Sequence, residues 1–418
     1  MKRGTINNIF KSNRKVLANF SYLSILEIFI IAAPLFTYPY LVKTLGRELY
    51  GWVITAQVTA SYCTVLIDFG FKRISARHIA INNHNKDKIN EVVSAILTLR
   101  SGLWILSFLI YSSVILLVPS YREHYVLFFF SFLTTISSVL FLDFYFQGTE
   151  NMKYITIVNI VVRGTFVIAT FFIIKKSTDY IYVPLLWSTG YALGGALSLW
   201  IGFHKYNIKY TLPDKKILIA HLHEGSVIFT SDVMITIKDK FNYNLMGALV
   251  GVSEIVIYDI GAKICSLLQK PVTILSTVLF PRIAKRQSVN QVKKAMGGIL
   301  VFSTTMVILV NAFLPQIVKF FILEDIDLDA IRLYTLSPIF VGISWFISMN
   351  VFFAFGKQRL VLKSTYVTTI GYLILLGIFY FTGYLNSVMS FVILTVSSYL
   401  IEAIFRGILC NKIFKSLS

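Results

Sequence analysis

YGWVITAQVTASYCTVLIDFGF, residues 50–71, is long and apolar enough to cross a bilayer, whose hydrocarbon core of roughly 30 Å takes about 20 residues of helix. Its polar exceptions are regular. Gln57, Ser61, Thr64 and Asp68 recur at helical spacing, which stacks them on one face. The segment reads as a membrane helix that turns a polar stripe away from lipid.

The pattern repeats along the chain. Twelve such stretches lie at about 20–42, 50–71, 91–118, 124–146, 154–174, 181–203, 223–246, 252–280, 295–321, 331–354, 361–382 and 387–410. Composition agrees: 56% hydrophobic, 15% aromatic and only 14% charged residues do not describe a water-soluble globule. The expected fold class is an all-α integral membrane protein of twelve transmembrane helices. Between the spans no segment longer than about 20 residues remains, which leaves no room for a nucleotide-binding or glycosyltransferase domain. No GxxxxGK[ST] phosphate loop occurs, so ATP hydrolysis by that route is excluded. No cofactor is expected.

A net charge of +19 suggests nucleic acid, but the placement of the charges rejects it. About 25 of the 39 basic residues fall in the tails and the loops joining even to odd spans, as cytoplasmic loops require. The rich segments include Lys2, Arg3, Lys11, Arg14 and Lys15, then Lys72, Arg73, Arg77, Lys86 and Lys88. Lys205, Lys209, Lys215 and Lys216 follow, then Arg282, Lys285, Arg286, Lys293 and Lys294. Both termini are therefore expected in the cytoplasm, with no nucleic-acid partner. The first apolar stretch is too long for a signal-peptide core and is read as an uncleaved helix. Cys63, Cys265 and Cys410 sit inside spans without metal spacing and read as small apolar residues.

The basic loop at 204–221 divides the spans six and six, giving an N-terminal lobe at 1–203, a linker at 204–221 and a C-terminal lobe at 222–418. The halves echo each other. LVKTLG (41–46) answers LMGALVG (245–251), and FKRISAR (71–77) answers FPRIAKR (280–286). Transporters built from repeats hold substrate near mid-membrane at the repeat interface.

Charges inside the spans point the same way. About eight Lys and Arg lie there, and leaving them in lipid would cost on the order of 20 kcal/mol, so they face one another or a wet cavity. Arg100, Arg163, Lys238, Lys240, Lys263 and Lys270 are the candidate substrate-binding cations, suited to an anionic group such as a phosphate ester. Glu27, Asp68, Asp232, Asp239 and Asp259 are candidates for coupling a proton or sodium ion, or for pairing with those cations. The competing reading is that the charges only pack the bundle. His221, His223 and Glu224 look like metal ligands, but the two histidines point to different helical faces, and a solvated loop end is preferred. EDIDLD (324–329) lacks the glycine and distal Glu of a calcium loop. Tyr38, Tyr40, Tyr50 and Trp52 read as interfacial aromatics.

Residues 38–80, YPYLVKTLGRELYGWVITAQVTASYCTVLIDFGFKRISARHIA, resemble the opening of the bacterial O-antigen and polysaccharide repeat-unit flippases. That family belongs to the multidrug/oligosaccharidyl-lipid/polysaccharide exporter superfamily. Its LG-x-x-x-YG turn and DFG element correspond to Leu45–Gly51 and Asp68–Gly70. FLDFYFQGTENMKYITIVNI (141–160) is similar to its fourth-to-fifth helix segment, with Tyr145 or its neighbour where Trp is usual. IKDKFNYNLMGALVGVSEIVIYDIGAK (237–263) and VLFPRIAK (278–285) resemble its seventh and eighth helices, with Asp239 and Lys240 at its Asp-Arg pair. The lysine keeps the charge and loses the bidentate fork. The resemblance implies two pseudo-symmetric six-helix lobes (MATE/MOP-like) working by alternating access. It also implies an undecaprenyl-pyrophosphate-linked oligosaccharide as cargo and the bacterial inner membrane as location. Polymerase and chain-length regulator are the implied partners.

A cation-coupled drug exporter of the same fold is the alternative, disfavoured by a lumen richer in Lys and Arg than in carboxylates. An O-antigen polymerase is the other, disfavoured because external loops of about ten residues leave no catalytic platform; the chain is not expected to be an enzyme. A reporter fused within residues 204–221 should give a cytoplasmic signal. An external signal there would overturn the topology.

Overall fold

The computed structural model describes residues 2–322, 324 and 326–417, with the side chains of 2–18, 20, 281, 286 and 417 left out. Asp325 of the acidic segment lies outside the described residues, as do the side chains of Lys2, Arg3, Lys11, Arg14, Lys15 and Arg286. Every regular element among the described residues is helical. Lipid offers the backbone no hydrogen bonds, and a helix satisfies its own.

The first long helices are α1 (Lys2–Leu45), α2 (Arg47–Asp68), α3 (Phe71–Ile81) and α4 (Lys86–Leu117). Four short pieces follow, α5 (Pro119–Glu123), α6 (Tyr125–Leu133), α7 (Ile136–Leu140) and α8 (Asp143–Gly148). Then come α9 (Met152–Ile173), α10 (Tyr182–Trp200) and α11 (Lys215–Leu249). The remainder is α12 (Val252–Arg286), α13 (Val289–Ala312), α14 (Leu314–Phe321), α15 (Asp329–Tyr334), α16 (Ser337–Ile347), α17 (Arg359–Phe381) and α18 (Val388–Leu417). Two compact units emerge: residues 1–46 with 56–232, and residues 47–55 with 233–418. This division falls within α2 and α11, whereas the sequence reading placed its boundary at 204–221.

Each unit has its own apolar core. In the first, Phe71, Ile79, Ile96, Leu142, Phe144 and Phe146 are almost fully buried. In the second, Val272, Ile299, Phe346, Val351 and Phe352 play that part. The outside is apolar too: Ile105, Leu109 and Leu117 on α4, Ile168 and Phe172 on α9, and Ile374 and Phe381 on α17 are exposed. Arg100, Lys238, Asp259 and Arg406 are meanwhile buried. Apolar surface outside and charge inside reverse the usual arrangement of a soluble protein and suit lipid.

Ten of the helical stretches are long and apolar enough to cross a membrane among the described residues. Of the twelve expected, 181–203 and 223–246 are the two not among them. The second carries Asp232, Lys238, Asp239 and Lys240 on α11. The first, on α10, mixes Pro, Tyr, Trp, Ser and Thr with three glycines, two of which serve packing against α9. A methyl on Gly190 would meet the Val162 carbonyl of α9 at 2.6 Å, and one on Gly194 the Val162 side chain at 2.6 Å. Small residues four apart let two membrane helices approach closely.

The echoes between the halves have structural content. Gly46 and Gly251 end their matching segments, separate α1 from α2 and α11 from α12 respectively, and take positive φ of 78° and 133°. The helix end at Phe146–Asn151 closes with Asn151 N donating to Phe146 O at 2.7 Å, and Glu150 takes φ 57°. The end at Phe352–Lys357 repeats it, with Lys357 N to Phe352 O at 2.7 Å and Gly356 at φ 69°. Both are left-handed C-caps of the Schellman kind. The second echo diverges: FKRISAR follows a break at Phe69–Gly70, whereas FPRIAKR lies inside the continuous α12.

That break is a point of close packing. Phe69 and Gly70 are both left-handed, at φ 45° and 75°, and a methyl on Gly70 would meet Ile228 Cβ of α11 at 2.7 Å. Gly70→Ala should therefore lower stability by about 1–3 kcal/mol. Gly297→Ala, in open space on α13, should be neutral or slightly stabilising. Thermal unfolding of the purified variants in detergent checks the contrast, which fails if the two shift alike.

Candidate functional site

In the first unit, α4 buries Arg100 to 2% exposure. Its guanidinium donates to the Asp68 carboxylate at the end of α2 and, at 3.3 Å, to the Phe141 carbonyl. Asp143, at the start of α8, stands 3.9 Å from the same guanidinium and 2.7 Å from Lys72 of α3. The Phe144 ring lies 5.1 Å away. Two cations meet two carboxylates, so the cluster is neutral. Removing one partner from such a buried pair costs about 3–5 kcal/mol. Arg100 and Asp68 are thus committed to each other, tying α2, α3, α4 and α8 together.

The second unit has a counterpart. Lys238 of α11 is buried and donates to Glu402 of α18 at 2.6 Å, with the Tyr399 ring 5.1 Å away. Glu402 also accepts from Arg406 at 2.8 Å and from the Ser344 hydroxyl at 3.1 Å. Arg406 donates in turn to the Ser364 and Ser344 hydroxyls, both at 3.0 Å. Asp239 lies 4.0 Å from Lys238 and brings the group to neutrality. Nearby, Asp259 pairs with Lys263 one turn along α12 and accepts from the Tyr243 hydroxyl at 3.1 Å. Asn242, Tyr258, Tyr372 and Thr395 complete a buried polar network, with Tyr372 Oη donating to Asn242 Oδ1 at 2.7 Å.

A cavity of about 320 Å³ opens in the first unit against the α2 stripe. Gln57, Ser61 and Thr64 line one wall, Thr134 and Ser137 another, and Trp187 and Tyr191 of α10 supply aromatic faces. Arg163 of α9 lies over Trp187, 6.0 Å from the ring centroid, and its Nε has no hydrogen-bond partner among the described residues. Glu27 on α1 is an acidic neighbour of Arg163.

The remaining candidates scatter. Lys240 sits over the Tyr243 ring at 5.4 Å, and Lys270 is partly buried on α12. Asp232 pairs with the exposed Arg73 at 3.0 Å. The structure therefore brings Arg100 to Asp68, Lys238 to Asp239 and Lys263 to Asp259. It does not gather the six cations of the sequence reading into one place within either unit.

Residues 16–287 match the family described as "Polysaccharide biosynthesis protein", more than half of the chain. The chain belongs to that family. Its relatives include a protein of Escherichia coli K12 named "Putative O-antigen transporter", 26% identical over 66% of this chain and 66% of that protein. A Shigella dysenteriae protein of the same name is 22% identical over 78% of this chain and 83% of its own length. Among solved structures, an inward-facing multidrug-resistance MATE transporter of the MOP superfamily superposes with a TM-score of 0.70. At 14% identity, with 93% of this chain and 98% of that one covered, this likeness shows the fold. This member of the family is thus an all-helical, multi-pass membrane protein with a MATE-type fold.

Sequence reasoning missed Asp143, Glu402 and Arg406, the partners that neutralise the two clusters. A signal existed: Asp143 interrupts the apolar 124–146 stretch, and Glu402 and Arg406 stand four apart within 387–410. Glu402→Gln should be the more damaging change in its cluster, because it takes the shared carboxylate from both Lys238 and Arg406 and leaves only Asp239, 4.0 Å from Lys238, against two cations. A loss of about 3–5 kcal/mol is expected, with a smaller loss for Lys238→Met. Thermal midpoints in detergent give the order, and the reverse order would contradict the assignment of Glu402 as the hub.

Proposed function

We propose that this protein moves a lipid-linked oligosaccharide across the bacterial inner membrane, from the cytoplasmic to the outer face, by alternating access. The cargo is undecaprenyl-pyrophosphate carrying one O-antigen or capsule repeat unit. The observation that carries this reading is the cavity on the α2 stripe. Its hydroxyl and amide groups can donate and accept, as a sugar requires, and Trp187 and Tyr191 offer flat apolar faces for a sugar ring. Arg163 stands beside them with an uncommitted donor, suited to the pyrophosphate. The names of the two relatives point to the same cargo class, and neither names an enzyme.

The committed pairs narrow the cation list. Arg100 and Lys238 hold carboxylates and act as scaffold, while Arg163 and Lys240 rest on aromatic rings and are the groups to meet the anionic cargo. Lys263, paired with Asp259, belongs to the scaffold as well, and Lys270 on α12 adds positive potential. Of the carboxylates, Asp68, Asp232, Asp239 and Asp259 stand against basic side chains and serve as counter-ions. The termini are cytoplasmic, the lobes are 1–203 and 222–418 joined by 204–221, and product passes to a polymerase and its chain-length regulator.

In a deletion strain, plasmid-borne Arg163→Gln should reduce repeat-bearing surface polysaccharide about tenfold or more at unchanged protein level, the value of one lost charge-assisted hydrogen bond. Lipid-linked single repeats should accumulate inside, and Trp187→Ala should act in the same direction. A full polysaccharide ladder in both variants would remove the cavity from the mechanism. Loss of export with a surviving single-repeat surface band would point to polymerisation, and an unchanged ladder in the deletion strain itself to drug export or another cargo.

A further inference from the structure

We propose that His78, His221 and Glu224 form a site for a divalent transition-metal cation of the zinc class, joining α3 to the N-terminal part of α11 within the first unit. One donor atom from each residue lies within 4.8 Å of the others. His221 and Glu224 are three apart on α11 and so share a face, and His78 reaches them from α3. His78 Nε2 is 2.7 Å from Glu224 Oε2, and the two imidazoles stand edge to face with centroids 5.5 Å apart. His223, the residue that looked like a ligand in the sequence, is exposed on another face.

The chemistry favours an ion over a plain hydrogen-bonded pair. His221 is 6% exposed, and its Nδ1 has no hydrogen-bond partner among the described residues. A buried polar atom left unsatisfied costs about 1–3 kcal/mol, and a histidine pair that served only to pack α3 on α11 would gain nothing from it. Two imidazoles and a carboxylate match the donor preference of zinc, with nickel, cobalt and ferrous iron next. Ligand bonds of about 2.0–2.1 Å imply donor separations of about 3.4 Å in a tetrahedron, so the site contracts by rotamer adjustment of its two more accessible members, His78 and Glu224. Water fills the fourth position from the solvent side. Binding through Nε2 of His78 leaves its ring proton on Nδ1 and replaces the hydrogen bond to Glu224.

Such an ion would staple two elements that are 143 residues apart in sequence (78 to 221). The full chain, purified in detergent with a tag that contains no histidine, is stripped with chelator and titrated with zinc alone against a chromophoric competitor. One equivalent should bind at micromolar free zinc, and cobalt in its place should give a visible tetrahedral spectrum. Affinity should fall at least about tenfold in H78Q, H221Q and E224Q and stay unchanged in H223Q. Zinc should also raise the unfolding midpoint of wild type and not of H78Q, whose substitution is half-exposed and structurally mild. Failure of wild type to bind stoichiometrically, or full retention in H78Q, overturns the site. Equal loss in H223Q and H221Q assigns the binding elsewhere and overturns it as well.

Discussion

An ionised side chain removed from water must find an opposite charge, and this requirement decides which helices of the chain hold together. Arg100 is the clearest case in the first unit: it is almost fully buried, and Asp68, Asp143 and the Phe141 carbonyl reach it from separate elements. Glu402 does the same in the second, accepting from Lys238, Ser344 and Arg406 on α11, α16 and α18. Neither hub replaces apolar packing. Each sits beside a core of Phe, Ile and Val, and each makes one arrangement of those helices far better than its neighbours, because any slip strands a charge in a low dielectric.

The same requirement sorts the polar groups by role. Charges already neutralised belong to the frame. In the proposed mechanism the groups around the cavity, Gln57, Ser61 and Thr64 with Trp187, Tyr191 and Arg163, are those that exchange partners with cargo. A carrier needs both kinds: fixed pairs that keep a lobe rigid while it moves, and weakly held donors that can take up and release a ligand. The histidine–glutamate cluster at α3 and α11 adds a cross-link at the edge of the first unit, beside the left-handed Phe69–Gly70 turn on which α11 packs.

The sequence made much of this legible. Period and length disclosed the helices, the stripe at Gln57, Ser61 and Thr64 was readable as one face, and Gly46 and Gly251 were visible as matched turns. Partner choice was not. Asp143 meets Lys72 and Arg100, and His78 meets Glu224, across separations that helical spacing does not encode. The lone His221–His223 pattern even pointed to the wrong second histidine, because the true neighbour comes from another helix. Likewise, α10 carries glycines that its contact with α9 requires, a tertiary role that a hydropathy window does not register. The closeness of FKRISAR to FPRIAKR concealed a break in one helix and continuity in the other.

The central claim is that the protein itself carries a lipid-linked oligosaccharide through a polar, aromatic-walled cavity. Purified protein reconstituted in liposomes with a prenyl-pyrophosphate-linked oligosaccharide in the outer leaflet tests it without other cellular machinery. Sugar accessible to an external glycosidase should decline faster in these vesicles than in protein-free vesicles, and the Arg163→Gln protein should lose most of the difference. Equal rates in wild-type and protein-free vesicles would contradict the account.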